Sequence, residues 1–244
     1  MTRWKCVCAY DGTDYFGWQT QSNQVSVQTV IEKGLQQILK ESIAIYGSGR
    51  TDAGVHACEQ VFHFDHDWRH GASRLLRALS TVIPRDIQIS SVVEVDDSFH
   101  ARFSAKSKRY HYKLFQGTAR PFDWKYCWSI PQGLNLNLVK EALPYLSGER
   151  DFAPFASNRG VEYETTIRNV FASEMYQKDG FIYLSFEADG FMYKMVRSFV
   201  GALVNVGLGR LGLEQFCKIV ESGKREPLIQ VAPPQGLFLE KVFY

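Results

Sequence analysis

With 244 residues, the chain is long enough to bury a sizeable core in one or two domains. Its hydrophobic fraction of 45% and charged fraction of 22% are ordinary for a globular protein, and a net charge of +2 permits a nucleic-acid partner without arguing for one. The five cysteines, Cys6, Cys8, Cys58, Cys127 and Cys217, are odd in number and contain no CxxC pair, which argues against a disulfide framework and against a structural zinc site. The first residues carry no apolar signal core and no stretch is apolar enough to span a membrane, so a cytoplasmic setting is expected.

In chain order, residues 3–10 alternate as a strand that ends at the turn Tyr10-Asp11-Gly12-Thr13, with Cys6 and Cys8 on its buried face. Val27, Val30, Ile31, Leu35, Ile38 and Leu39 recur at helical spacing over 26–40, with Ser26 as N-cap. A short strand over 43–46 leads into a glycine-rich loop. Strands follow at 60–65 and 87–95, with an amphipathic helix over 72–81 between them. In the second half, 108–116 reads as a strand and 137–146 as a helix capped by Asn135 or Asn137. Residues 169–177 and 180–188 read as a hairpin across Lys178-Asp179-Gly180. A strongly apolar helix is expected over 191–206, a more polar one over 213–222, and a closing strand over 237–243. The reading is α+β: two halves, each roughly β-α-β-β-α-β, with mostly antiparallel sheets and a boundary near 97–106.

The loop Gly47-Ser48-Gly49-Arg50-Thr51-Asp52-Ala53-Gly54-Val55-His56 packs three glycines, an Arg, an Asp and a His into ten residues. Taken alone, it reads as a tight connection in which Asp52 caps a backbone amide and Arg50 is solvated. A phosphate-binding loop is the other general option, but the Gly-Lys-Ser/Thr ending is absent. Lys106-Ser107-Lys108-Arg109-Tyr110-His111-Tyr112-Lys113 interleaves basic and aromatic residues, with Lys108, Tyr110 and Tyr112 on one strand face and Arg109, His111 and Lys113 on the other. That mixture suits RNA, and it equally describes a half-buried strand with its charges outside. His63, His66 and His70 near Asp65 and Asp67 hint at a metal cluster, but 63 and 66 point to opposite sides of an extended segment, so a surface turn is expected there.

Gly49-Arg50-Thr51-Asp52-Ala53-Gly54-Val55-His56-Ala57 resembles the signature of TruA-type tRNA pseudouridine synthases. Four further segments resemble that family's motifs in its order: Tyr10–Gln19, Phe99–Ala105 with Arg109–Tyr112 after it, Phe191–Arg197, and Ala232–Leu237. Lys108 and Met192 depart from the residues most usual there, Arg and Leu, and keep their charge or apolar character. The resemblance implies an isomerase that converts uridine to pseudouridine at positions 38, 39 and 40 of the tRNA anticodon stem-loop. It implies the pseudouridine synthase fold: two ferredoxin/RRM-like halves around a central cleft, residues 1–100 carrying the catalytic loop and 101–244 carrying the base-stacking Tyr and the Arg helix. The tRNA anticodon arm is the implied partner and a homodimer the implied assembly, with no metal and no cofactor.

The resemblance assigns the nucleophile to Asp52, the ring against the target uracil to Tyr110, and nucleotide extrusion to Arg50. It places Arg197 beside Asp52 as its cation, which favours the ionised carboxylate. From the residues alone, Arg197 stands among apolar neighbours and either is paired or snorkels to the surface. Thr51 is expected to fix the loop by a backbone hydrogen bond and His56 to bond locally rather than react. The competing function is a non-catalytic RNA-binding module, and Asp52 tells against it, since a carboxylate repels phosphate.

Overall fold

The computed structural model describes residues 1–130, 133–157 and 163–244. Its strands are β1 (Arg3–Tyr10), β2 (Tyr46–Gly47), β3 (His56–Asp65), β4 (Ile87–Val95), β5 (Ser107–Gln116), β6 (Trp128–Ile130), β7 (Gly148–Asp151), β8 (Ile167–Lys178), β9 (Phe181–Ala188) and β10 (Leu237–Phe243). Its helices are α1 (Val27–Leu39), α2 (Ala72–Val82), α3 (Leu136–Ala142), α4 (Met195–Gly207) and α5 (Leu213–Ser222). The chain forms two compact units, one of residues 1–106 with 238–244, the other of residues 107–237. The fold is α+β with mostly antiparallel strand pairs.

In the first unit the strand order is β4-β1-β3-β10, with β2 also paired to β3. The β1 pairs are antiparallel, whereas β10 runs parallel to β3 with Phe238 opposite His56. One sheet face contributes the buried row Trp4, Cys6, Cys8, Phe62 and Phe64, and α1 and α2 contribute Ile31, Leu35, Leu75 and Leu79. Cys6 and Cys8 thus serve as small core residues, and all five cysteines are free thiols. Ser26 caps α1 by accepting from Thr29 N. The strand expected over 43–46 shrinks to Tyr46–Gly47, because α1 takes the preceding backbone: Ile45 N donates to Glu32 Oε1 and Gln28 Nε2 donates to Ile45 O. The sequence places 237–243 in the second half, but residues 238–244 belong to the first unit.

The second unit orders its strands β5-β9-β8-β7, with β6 parallel to β5. Asp179 and Gly180 both have positive φ, 52° and 81°, the two-residue turn that matches the twist of a hairpin. Asn135 caps α3, and the expected helix over 137–146 tightens to a 3-10 turn after Ala142, where Pro144 lacks the N–H that would continue it. All thirteen residues of α4 are buried, so it is enclosed on every side, and Phe199 meets Phe152, Phe155 and Phe186 in the core. This helix begins at Met195 rather than 191, because Lys194 at its N-cap adopts a left-handed conformation. Beyond the expected elements the unit contains β6, β7 and several 3-10 turns, all too short for a periodicity signal.

Candidate active site

The Asp52 loop is held from both ends. On its N-terminal side, Ser48 N donates to Val61 O at 2.7 Å, Ser48 Oγ donates to Gln60 Oε1 at 2.7 Å, and Gln60 Nε2 donates to Gly49 O at 2.9 Å. Gln60 is fully buried, and these bonds satisfy both ends of its amide. At the centre, the Thr51 hydroxyl lies 2.8 Å from the Tyr10 hydroxyl in a buried contact, and Trp18 N donates to Thr51 O. After the aspartate, Val55 N donates to Asp52 O, closing a turn, and Gly54 N donates to Tyr15 O. Asp52 itself is half-buried between buried Thr51 and Val55 and exposed Ala53, and Arg50 is exposed.

The segment Tyr10–Gln19 is therefore the cradle of this loop. A side chain on Gly12 would place its Cβ 2.0 Å from Val55 O, and one on Gly17 would lie 2.5 Å from Thr51 O. Gly17 also has a φ of +85°, which glycine adopts without strain. His56 completes the cradle: Gly12 N donates to its Nδ1 at 3.0 Å, and Phe238 of β10 stacks on its ring with centroids 4.6 Å apart. Nδ1 also lies 3.1 Å from Asp11 Oδ1. Thr51 accepts the expected backbone bond at its carbonyl, from Trp18 N, while its hydroxyl meets the Tyr10 side chain; the His56 bond, expected to be local, instead reaches Gly12, 44 residues away. Gln60, Gly12 and Gly17 went unassigned in the sequence: Gln60 reaches back to Gly49 O with its side-chain amide, and the two glycines matter only through backbone contacts with Val55 and Thr51, which residue type does not announce.

In the second unit, Tyr110 sits on β5, 8% exposed, with its ring edge-on to Phe191 at 5.3 Å. Tyr112, on the same face, donates its hydroxyl to Pro233 O at 2.7 Å. The opposite face of β5 uses its cations within the sheet: Arg109 pairs with Glu187 at 2.7 Å, and Lys113 Nζ lies 3.6 Å from the centre of the Phe181 ring. Arg197, on the first turn of α4, is 9% exposed, so the snorkelling alternative is excluded. Its Nε donates to Ala232 O at 2.8 Å, and Ala232 N donates back to Arg197 O at 3.0 Å. Its positive charge is felt by the buried Tyr112 hydroxyl, where it opposes the upward push of burial on that group's pKa. Arg50 and Asp52 thus share one loop of the first unit, and Tyr110 and Arg197 lie in the second.

The histidines at 63, 66 and 70 do not form the expected surface turn as a group. His63 is 2% exposed within β3, accepts from Ala101 N through Nδ1, and stacks with Tyr46. Among the described residues, no three His, Cys, Asp or Glu side chains gather in a metal-binding arrangement. No helix among them is long and apolar enough to cross a membrane.

The chain matches the model of the tRNA pseudouridine synthase family over residues 7–104 and 142–244. It is 41% identical over 239 residues to tRNA pseudouridine synthase A of a Thermoanaerobacter species, covering 98% of both chains. It is 39% identical over 254 residues to tRNA pseudouridine synthase A of Thermodesulfovibrio yellowstonii, covering 100% of both. The protein named tRNA pseudouridine synthase A 1 from Protochlamydia amoebophila is 40% identical over 248 residues, with coverage of 100% of this chain and 97% of that one. With its motifs in order and similarity along its whole length, this chain belongs to the tRNA pseudouridine synthase family.

Proposed function

We propose that this enzyme isomerises uridine to pseudouridine at positions 38, 39 and 40 of the tRNA anticodon stem-loop, through an Asp52 nucleophile acting on a flipped-out base. The observation that carries the reading is the Asp52 loop: a half-buried carboxylate on a backbone pinned before and after it by buried hydrogen bonds. Such fixing suits a group that must meet a reacting atom within a fraction of an ångström. A pure RNA binder gains nothing from a carboxylate facing phosphate.

The reaction breaks the uracil N1–C1′ bond and forms a C5–C1′ bond. The C5 proton leaves to solvent and N1 takes one up, so the product is an isomer and no electron changes hands. Asp52 supplies the covalent attack. Arg197 serves as the cation that keeps Asp52 ionised, the Tyr110 ring meets the uracil, and Arg50 braces the space left by the extruded nucleotide, a step costing a few kcal/mol. Following the family, the enzyme works as a cytoplasmic homodimer.

The test uses unmodified tRNA tritiated at uridine C5, with single uridines retained at 38, 39 or 40 in separate substrates. The wild type releases label from each, and Asp52→Asn loses at least about three orders of magnitude in rate. Equal release by both proteins removes Asp52 as nucleophile, and release independent of the three positions removes the assigned substrate.

A further inference from the structure

The geometry points to a second RNA contact in the first unit: an aromatic ledge of Tyr46, His100 and Phe103, flanked by Arg102, that stacks an unpaired base of the tRNA other than the uridine being isomerised. The inference rests on the tRNA reading above and adds a subsite to it.

The ledge begins in the sequence segment Phe99–Ala105, one of the matched motifs, to which the proposed chemistry gives no task. Phe103 is 76% exposed and Tyr46 is 53% exposed. Solitary exposed rings are common on protein surfaces. Here the rings are contiguous: His100 to Phe103 is 4.4 Å between centroids, His63 to His100 is 4.7 Å, Tyr46 to His63 is 5.2 Å and Tyr46 to His100 is 6.0 Å. His63 forms the buried floor, and the others stand above it.

The turn that presents Phe103 is rigid. Ser104 N donates to His100 O at 2.9 Å, and His100 N donates to Ser104 Oγ at 2.9 Å. Arg102 N and Phe103 N both approach His100 Nδ1, at 3.1 and 3.3 Å. Ala101 is fully buried at the base of the turn, where Tyr244 donates its hydroxyl to Ala101 O and Ala101 N donates to His63 Nδ1. A large apolar ring held in water by a pinned turn keeps its orientation before any partner arrives, so little ordering entropy is spent on contact. Nothing in the packing of the first unit needs that ring outside the core.

The chemistry favours a nucleobase. The Arg102 guanidinium carbon lies 5.6 Å from the Phe103 ring centre, so a cation and a flat π-face are offered side by side. That pairing meets a phosphate and a base together, as single-stranded RNA presents them. Both imidazoles are held below their usual pKa, chiefly by burial, so they stay neutral and can stack. The neighbouring Asp65 is neutralised by Arg3 at 2.7 Å and leaves Arg102 as the cation of the rim.

The experiment measures Kd for unmodified tRNA by filter binding, and KM by tritium release, for wild type, Phe103→Ala, Phe103→Trp and Arg102→Ala. Phe103→Ala weakens Kd and raises KM by roughly tenfold, and Phe103→Trp restores both. Arg102→Ala reduces the slope of log K against log salt by about one. The melting temperature of Phe103→Ala stays at the wild-type value, since the ring is solvent-exposed. An unchanged Kd in Phe103→Ala overturns the ledge. So does a shift in oligomeric state by gel filtration at unchanged tRNA affinity, which assigns the patch to a second copy of the chain. Failure of the wild type to release label from tRNA refutes the proposed reaction instead, a separate result from either.

Discussion

Gly17→Ala tests whether the segment Tyr10–Gln19 holds the Asp52 loop. The new Cβ would lie 2.5 Å from Thr51 O, 3.1 Å from Asp52 C and 3.2 Å from Ala53 N. Carbon contacts are comfortable only near 3.5 Å, so the 51–53 backbone must retreat by roughly 0.5–1 Å. A misplacement of that size costs up to about 10²-fold in rate. The positive φ adds about 1–2 kcal/mol of strain on its own. The control is Gly71→Ala in the same unit, which has a φ of +79° and nothing within 4 Å of its added Cβ. Its ψ of 160° places it where only glycine sits readily, so it carries backbone strain without the clash. Tritium release and thermal unfolding are measured on both variants. Gly71→Ala loses roughly 1–3 kcal/mol of stability and keeps its kcat, whereas Gly17→Ala loses about 10- to 100-fold in kcat. If the two variants behave alike in rate, the segment does not position Asp52, and the reasoning fails.

Two further outcomes follow from the same contacts. In the second unit, a Cβ on Gly201 would lie 2.0 Å from Gln230 O, so Gly201→Ala pushes residues 230–232 off α4 and breaks the double bond between Arg197 and Ala232. The expected result is a loss of more than about tenfold in kcat together with a lower melting temperature, and an unchanged kcat would sever Ala232 from the function of Arg197. The third concerns acid. Burial first, then the His100 and Arg3 charges, hold His63 down at about 4 from its ordinary 6.5. The unfolded chain binds this proton more readily, so the contribution is complete above pH 6.5, declines below it, and is gone by pH 4. Between pH 7 and pH 5 it amounts to about 2 kcal/mol. Urea titrations at both pH values should show that loss reduced in His63→Gln, and an equal loss in wild type and variant would refute the assignment.

Long periodic elements were legible from residue pattern alone. The α1 helix begins where Ser26 offers a cap, and the β8–β9 hairpin turns where Asp179-Gly180 permits two positive φ values. Elements set by tertiary competition were not. Ile43–Ile45 has strand-forming residues, yet side chains of α1 claim its backbone groups. Phe191–Lys194 is apolar enough for a helix, yet the chain enters α4 through a left-handed Lys194. The alternation of β5 correctly put Tyr110 and Tyr112 on one face, with Lys108 at its start, and Arg109, His111 and Lys113 on the other. It gave no warning that Arg109 and Lys113 would be engaged across the strand by Glu187 and Phe181. Within the candidate site, Asp52 stood out only through a motif. Its braces were hidden because Gly12 and Gly17 act through backbone contacts distant in sequence, and Gln60 through a buried amide within a strand.

The return of β10 to the first unit bears on synthesis. The 131 residues of the second unit, 107 to 237, are made before residues 238–244 can pair with β3. Until then β3 presents a bare edge at His56 and Ala57, immediately after the Asp52 loop, and His56 lacks its Phe238 stacking partner. Without β10 the chain would still carry every residue assigned to the chemistry, with β3 paired to β1 and β2 but open along this edge. The support on that side of the Asp52 loop is thus the last part of the first unit to be supplied, after the whole of the second unit has been made.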